Sequence, residues 1–187
     1  MDTDAHRSTF VFLYGPPAVG KATIGKLLAD QTGFALAQNH ALIDAITPVF
    51  GFGTDGFVEL VARFRSQLFE TAARDGLDVI VTYCYAPEDE PEMRGYVDSI
   101  RKHGGRVLFV QLAAGRASLR SRVDEPSRRE RGKLVDVASL DEVLARWDFS
   151  QPVPFEPNLR LDTDTLTPAE AAEHVIRQYD IEPRTPD

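Results

Sequence analysis

Short apolar runs alternate with stretches of helical periodicity along most of the chain. Thr9 to Tyr14 (TFVFLY) is six residues with almost no polar interruption, followed at once by Gly15-Pro16-Pro17, which is the signature of a fully buried strand. Lys21 to Gln31 carries Ile24, Leu27 and Leu28 on one helical face and is closed by Gly33. The pattern then predicts a weaker strand over Phe34 to Gln38, a short helix over Ala41 to Phe50, a loop over Gly51 to Gly56, and a long helix over Phe57 to Arg74. Strands at Val79 to Tyr83 and Val107 to Leu112 bracket a helix over Glu88 to His103. Helices over Ala117 to Val123 and Leu140 to Arg146, and a short strand over Leu159 to Asp162, follow. The last helix has a complete start signal: Thr167 as N-cap, Pro168 at the first position and Glu170 closing a capping box. Strands alternating with helices imply a parallel sheet covered on both faces, with ligands at the carboxyl ends of its strands.

Composition narrows this picture. The 187 residues favour a single domain, with an insertion at about 124–138 and tails at 1–7 and 182–187. No apolar stretch approaches the roughly 20 residues of a membrane helix, so no membrane partner is expected. Met1 to Arg7 is too polar for a signal peptide, and Cys84 is the single cysteine, so a reducing cytoplasm fits. A net charge of -8 argues against a nucleic-acid partner. Yet Arg116 to Lys133 holds seven basic residues against three acidic ones. A local basic patch on an acidic chain suits a small phosphorylated ligand.

Gly15-Pro16-Pro17-Ala18-Val19-Gly20-Lys21 fits G-x-x-x-x-G-K between a strand and a helix. Phosphate oxygens need converging backbone N–H groups. Pro16 and Pro17 have none, so the cradle falls to Ala18, Val19, Gly20, Lys21 and Ala22. The helix N-terminus adds about half a positive charge at that point, and Lys21 follows the charge that moves during phosphoryl transfer. Position 22, where a hydroxyl would meet Mg²⁺, is Ala22. Thr23 stands next to it, about 100° further round the helix, as the candidate metal ligand.

Gly15 to Thr23 resembles the phosphate loop of adenylate kinases, where a small residue also separates the Lys from a Thr. The wider chain, about Thr9 to Tyr179, resembles the small P-loop kinases: shikimate kinase, gluconate kinase and chloramphenicol phosphotransferase. That resemblance implies a three-layer α/β/α fold with five parallel strands in the order 2-3-1-4-5, and ATP as phosphate donor. It also implies that the L-x-x-R element Leu119-Arg120-Ser121-Arg122 sets Arg122 against the adenine. Arg128, Arg129, Arg131 and Lys133 would then belong to an Arg-bearing lid, and Asn158 to Thr167 to a loop near the base.

The second strand leads into Asn39, His40 and Asp44. His40 and Asp44, four residues apart, share one helix face, and either can orient or deprotonate an acceptor hydroxyl. Asn39 also reads as a plain helix cap. Shikimate kinases would supply paired aspartates here. The third strand ends without the Asp of a Walker B motif, which disfavours a motor or switch. Glu88, Asp89, Glu90 and Glu92 read as an acidic first helical turn before a metal site. Tyr83 and Tyr85 are candidates to line an acceptor pocket. Cys84 reads as a buried thiol, Trp147 as packing, and Phe50, Phe52, Phe57, Phe64 and Phe69 as core first and pocket wall second. His6, His103 and His174 receive no role.

These readings converge on an Mg²⁺-ATP-dependent phosphotransferase acting on a small-molecule acceptor, as a monomer or homodimer. A nucleoside monophosphate kinase is the enzymatic alternative. A nucleotide-binding sensor without transfer activity is the alternative of another class, motivated by Ala22 and the missing strand-three Asp.

Overall fold

The computed structural model describes residues 6–123 and 136–182. Five strands form one parallel sheet: β1 (Thr9–Tyr14), β2 (Ala35–Gln38), β3 (Val79–Tyr83), β4 (Arg106–Ala113) and β5 (Asn158–Asp162), in the order β2-β3-β1-β4-β5. Seven helices surround it among the described residues: α1 (Lys21–Thr32), α2 (Asn39–Phe50), α3 (Asp55–Arg74), α4 (Glu90–Lys102), α5 (Arg116–Val123), α6 (Val137–Arg146) and α7 (Pro168–Tyr179). A 3₁₀ turn, Pro87–Asp89, precedes α4. The expected fold and strand order are both present.

The alternation along β1 explains the two layers. Val11 and Leu13 face an aliphatic core with Ile24 and Leu28 of α1 and Ala172 and Val175 of α7. Phe10, Phe12 and Tyr14 face an aromatic core with Phe69 of α3, Tyr96 of α4 and Phe109 of β4. Phe69 meets Phe10, Phe12 and Tyr96 edge-on, the geometry that ring quadrupoles favour. Burial on both faces is why β1 reads as a continuous apolar run.

Boundaries move where a side chain caps earlier than the apolar pattern begins. Thr54 accepts the Phe57 N–H, so α3 opens at Asp55. Asp136 accepts the Ser139 N–H at 2.7 Å, so α6 opens at Val137 and not Leu140. Asp89 accepts the Ala86 N–H at 2.9 Å, and that local bond makes a 3₁₀ turn of the expected start of α4. Asn39 lies inside α2, with Gln38 at its cap. The phenylalanine expectation holds only in part. Phe57 and Phe69 are buried, but Phe50, Phe52 and Phe64 are exposed, because α2 and α3 pack through a small cluster of Ile46, Phe57 and Val61 that leaves their outer faces to solvent. Cys84 is half-buried rather than buried, since it lies just past the end of β3. His6 is tied down: its Nε2 lies 2.8 Å from Asp78 Oδ2, while Asp78 Oδ1 accepts the Thr9 N–H.

Candidate active site

All five strands run in parallel, so Tyr14, Gln38, Tyr83, Ala113 and Asp162 end at one edge of the sheet. The phosphate loop leaves this edge at its centre. Gly15 has φ +142°, and a Cβ there would stand 2.3 Å from the Leu112 carbonyl oxygen, so no other residue lets the loop leave β1 this close to β4. Gly20, at φ +103°, is the N-cap of α1 and gives its first N–H groups no side-chain partner. Ala18 is also left-handed, at φ +65°, and is buried. Such strain in a residue with a Cβ gathers at ligand sites. Lys21 Nζ donates to the carbonyls of Gly15 and Pro16, each at 2.7 Å, and so arches over the loop. Val19 is fully buried and anchors the loop from below. Ala22 is partly exposed, and Thr23, at the exposed start of α1, donates its N–H to the Gly20 carbonyl at 3.1 Å.

On the β4–β5 side, Arg122 of α5 meets the loop after β5. Its Nη1 donates to Thr163 Oγ1 at 2.9 Å, and its Nη2 to the Thr163 carbonyl at 2.8 Å and Asp164 Oδ1 at 3.1 Å. Asp164 Oδ2 accepts the Gly115 N–H at 2.6 Å. That backbone bond, then Ser118 and Arg122, hold the Asp164 carboxyl below its ordinary range. The L-x-x-R arginine and the loop after the last strand are thus brought together. Arg128, Arg129, Arg131 and Lys133 lie outside the described residues.

On the β2–β3 side, His40 is half-buried and Asp44 exposed, one turn apart on α2. Asn39 is fixed twice: its N–H donates to Thr82 Oγ1 at 3.1 Å, and its Oδ1 accepts from Arg65 Nη2. Arg65 is the residue that motif reading missed. Its side chain is only 14% exposed. Nη1 donates to Glu92 Oε1 at 3.2 Å, and the guanidinium lies over the Tyr83 ring, 4.8 Å from its centroid. Glu92 also accepts the Tyr96 hydroxyl. Burial alone would lower the Arg65 pKa, but the Tyr83 and Tyr96 rings and the Glu92 carboxylate outweigh it and hold the cation. Burial pushes the Tyr83 hydroxyl well up, so it stays neutral. One signal was available in the sequence: Phe57, Val61, Arg65 and Phe69 form one i, i+4 stripe, and a cation within such a stripe needs a buried partner.

Of the acidic turn, Glu92 answers Arg65, Glu90 pairs with Arg94, and Asp89 caps the 3₁₀ turn. Among the described residues, no group of three or more His, Cys, Asp or Glu side chains is placed to hold a metal ion. Tyr85 is buried edge-on against Tyr14. The described helices include none long and apolar enough to cross a membrane.

No family model matches the chain, and no curated protein matches it. Solved structures do. A sugar kinase from Janibacter sp. HTCC2649 is 23% identical, with a TM-score of 0.67 over 94% of this chain and 96% of that one. A tunicamycin resistance protein from Deinococcus radiodurans is 19% identical (TM-score 0.64, 96% and 100%). A shikimate kinase from Acinetobacter baumannii, in complex with shikimate, is 14% identical (TM-score 0.60, 93% and 94%). With its strand order, phosphate loop and these neighbours, the chain has the fold of the P-loop small-molecule kinases.

Proposed function

We propose that this chain is a kinase that moves the γ-phosphoryl group of ATP to a hydroxyl of a small molecule. The observation that carries the reading is the phosphate loop: a buried strand, left-handed Ala18 and Gly20, an N-terminus without a side-chain cap, and a lysine arched over the turn. The donors fit a polyphosphate. The backbone N–H groups from Ala18 to Ala22 and the α1 dipole would bind the β-phosphate, and Lys21 would exchange its carbonyl partners for phosphate oxygens. Arg122 and the Thr163–Asp164 turn would bound the base.

The donors at the loop fit Mg²⁺ as well: Thr23 offers an exposed hydroxyl oxygen, a hard ligand, and such an ion takes most of its remaining shell from phosphates and water. When bound, it would neutralise charge on the β- and γ-oxygens. Arg128, Arg129 and Arg131 are proposed to close over the transferring group and exclude water. His40 or Asp44 would orient the acceptor hydroxyl and take its proton as the oxygen bonds to phosphorus and the bond to ADP breaks. His40 adjoins the fixed Asn39 at the start of α2, which supports it as the better held of the two.

Ala22 favours one competing reading, a sensor that binds ATP and transfers nothing. A nucleoside monophosphate kinase is the second enzymatic reading, supported by the adenylate-kinase-like loop. Calorimetric titration of ATP with Mg²⁺ into wild type and Lys21→Ala tests the site. Micromolar binding lost in the variant is expected, with turnover down about 10³-fold. No binding of ATP or GTP to wild type sinks the kinase reading. Binding with no transfer to any acceptor, nucleoside monophosphates included, leaves the sensor. Transfer lost in His40→Gln but kept in Asp44→Asn assigns the proton acceptor.

A further inference from the structure

The acceptor side of the sheet carries information on the charge of what it receives, if the kinase reading above holds. The edge next to the phosphate loop, formed by β2, β3, α2, α3 and the start of α4, has one largely buried cation among the described residues, Arg65. Both its Nη atoms and one face of its plane are engaged. Glu92 takes Nη1, the Asn39 amide oxygen takes Nη2, and Tyr83 covers one face of the plane. Glu92 is itself 31% exposed, so the carboxylate of the pair is the member more open to solvent. The nearby exposed cations are answered too: Arg63 lies 3.6 Å from Glu59, and Arg94 2.6 Å from Glu90.

A site that binds an anionic acceptor needs a cation whose charge is left for that anion. Here both Nη atoms of Arg65 already donate within the protein, and an incoming carboxylate or phosphate would meet Glu92 as a like charge. Glu92 is also tethered, so it competes for Arg65 at a local concentration no free ligand reaches. Among the described residues, what this edge leaves beside the pair is neutral or negative: the Asn39 amide, whose oxygen is committed and whose nitrogen is a donor, and the Glu92 carboxylate as an acceptor for hydroxyl groups.

We propose that the acceptor is an uncharged polyhydroxy compound, and that the Arg65–Glu92 pair excludes its anionic counterparts. The assignment separates this chain from kinases of acids and from nucleoside monophosphate kinases by the electrostatics of one pair. Glu92 acts here as a specificity determinant, with Arg65 as the residue that positions it and Asn39.

The test uses matched acceptors that differ in charge: gluconate and gluconamide, shikimate and its primary amide, a nucleoside and its monophosphate. ADP release with wild type and Glu92→Gln gives kcat/KM for each. Wild type is expected to favour the neutral member of each pair by about tenfold or more, because like-charge juxtaposition is costly in a partly buried site. Glu92→Gln keeps an oxygen for Arg65 and uncovers its charge, so the acid-to-amide ratio is expected to rise about tenfold, mostly through KM. A merely structural role would lower both members alike. Wild type favouring the acids overturns the proposal, and a ratio unmoved by Glu92→Gln overturns the role of the pair. If ATP binds and no acceptor of either charge is phosphorylated, the kinase reading itself has failed, and this inference falls with it. The wild-type ratios stand as a test even if the variant folds poorly.

Discussion

Two arginines mark the two ends of the site, and they are held in opposite ways. Arg122, on the β4–β5 side, is part-exposed and bonds mostly to neutral groups, the hydroxyl and carbonyl of Thr163. Arg65, on the β2–β3 side, is largely buried between a carboxylate, an amide and an aromatic face. The first arrangement can be rearranged cheaply when a planar ligand arrives, because water can replace any bond it loses. The second cannot, since uncovering either ion leaves a desolvated charge. The β4–β5 side, proposed to hold the nucleotide, is therefore adjustable, while the β2–β3 side, proposed to hold the acceptor, has its charge balance fixed in the folded chain.

Three substitutions break or sharpen that contrast. Arg65→Met leaves Glu92 without its cation and is expected to cost about 2–3 kcal/mol, the lower end for breaking a buried pair because Glu92 keeps some solvent. Urea unfolding measures it. Adding Glu92→Met should recover most of the loss, and a double variant no more stable than the single one would show that the pair is not the source. Arg122→Ala should behave in the reverse manner. Stability changes by less than about 1 kcal/mol, as for exposed pairs. ATP affinity is expected to fall about tenfold, read by titration; an unchanged affinity would remove Arg122 from the nucleotide site.

The smallest effect concerns pH. The Gly115 N–H, Ser118 and Arg122 lower the Asp164 pKa, so the ionised group is the one that fits the fold. Its support is therefore present above the ordinary aspartate range, near pH 4, and is lost as the pH falls through the depressed value. Amide exchange at Gly115 should speed up as the pH drops through that window, beyond the intrinsic trend. Asp164→Asn should abolish the dependence, and persistence of it in the variant would assign it elsewhere.

How far the sequence could be read follows the same division. β1 and the phosphate loop were legible because their constraints are local: an uninterrupted apolar run, and glycines that the backbone requires at Gly15 and Gly20. The strand order came from resemblance and is the one observed, while Arg122, drawn from the same resemblance, is found against the loop after β5. The β2–β3 side was read less well because its constraints are long-range. Arg65 finds Glu92 across 27 positions and Asn39 across 26, and no spacing rule reports such a meeting. Phe50, Phe52 and Phe64 were misplaced for a related reason: a helical apolar stripe says that a face is greasy, not that another element covers it.

The end of β1 has one more consequence. Tyr14, the residue before Gly15, is buried, and its hydroxyl accepts the Val153 N–H at 3.2 Å and the Asn158 side-chain N–H at 2.9 Å. The strand that launches the phosphate loop is thereby bolted to the chain entering β5. The loop hangs from a strand end that is cross-braced by these bonds and does not have to be shaped by what it binds. Little conformational entropy is then left to lose when a polyphosphate docks. Nucleotide capture should proceed at an encounter-limited rate, and variants around the loop should differ in how long they retain the ligand rather than in how fast they find it.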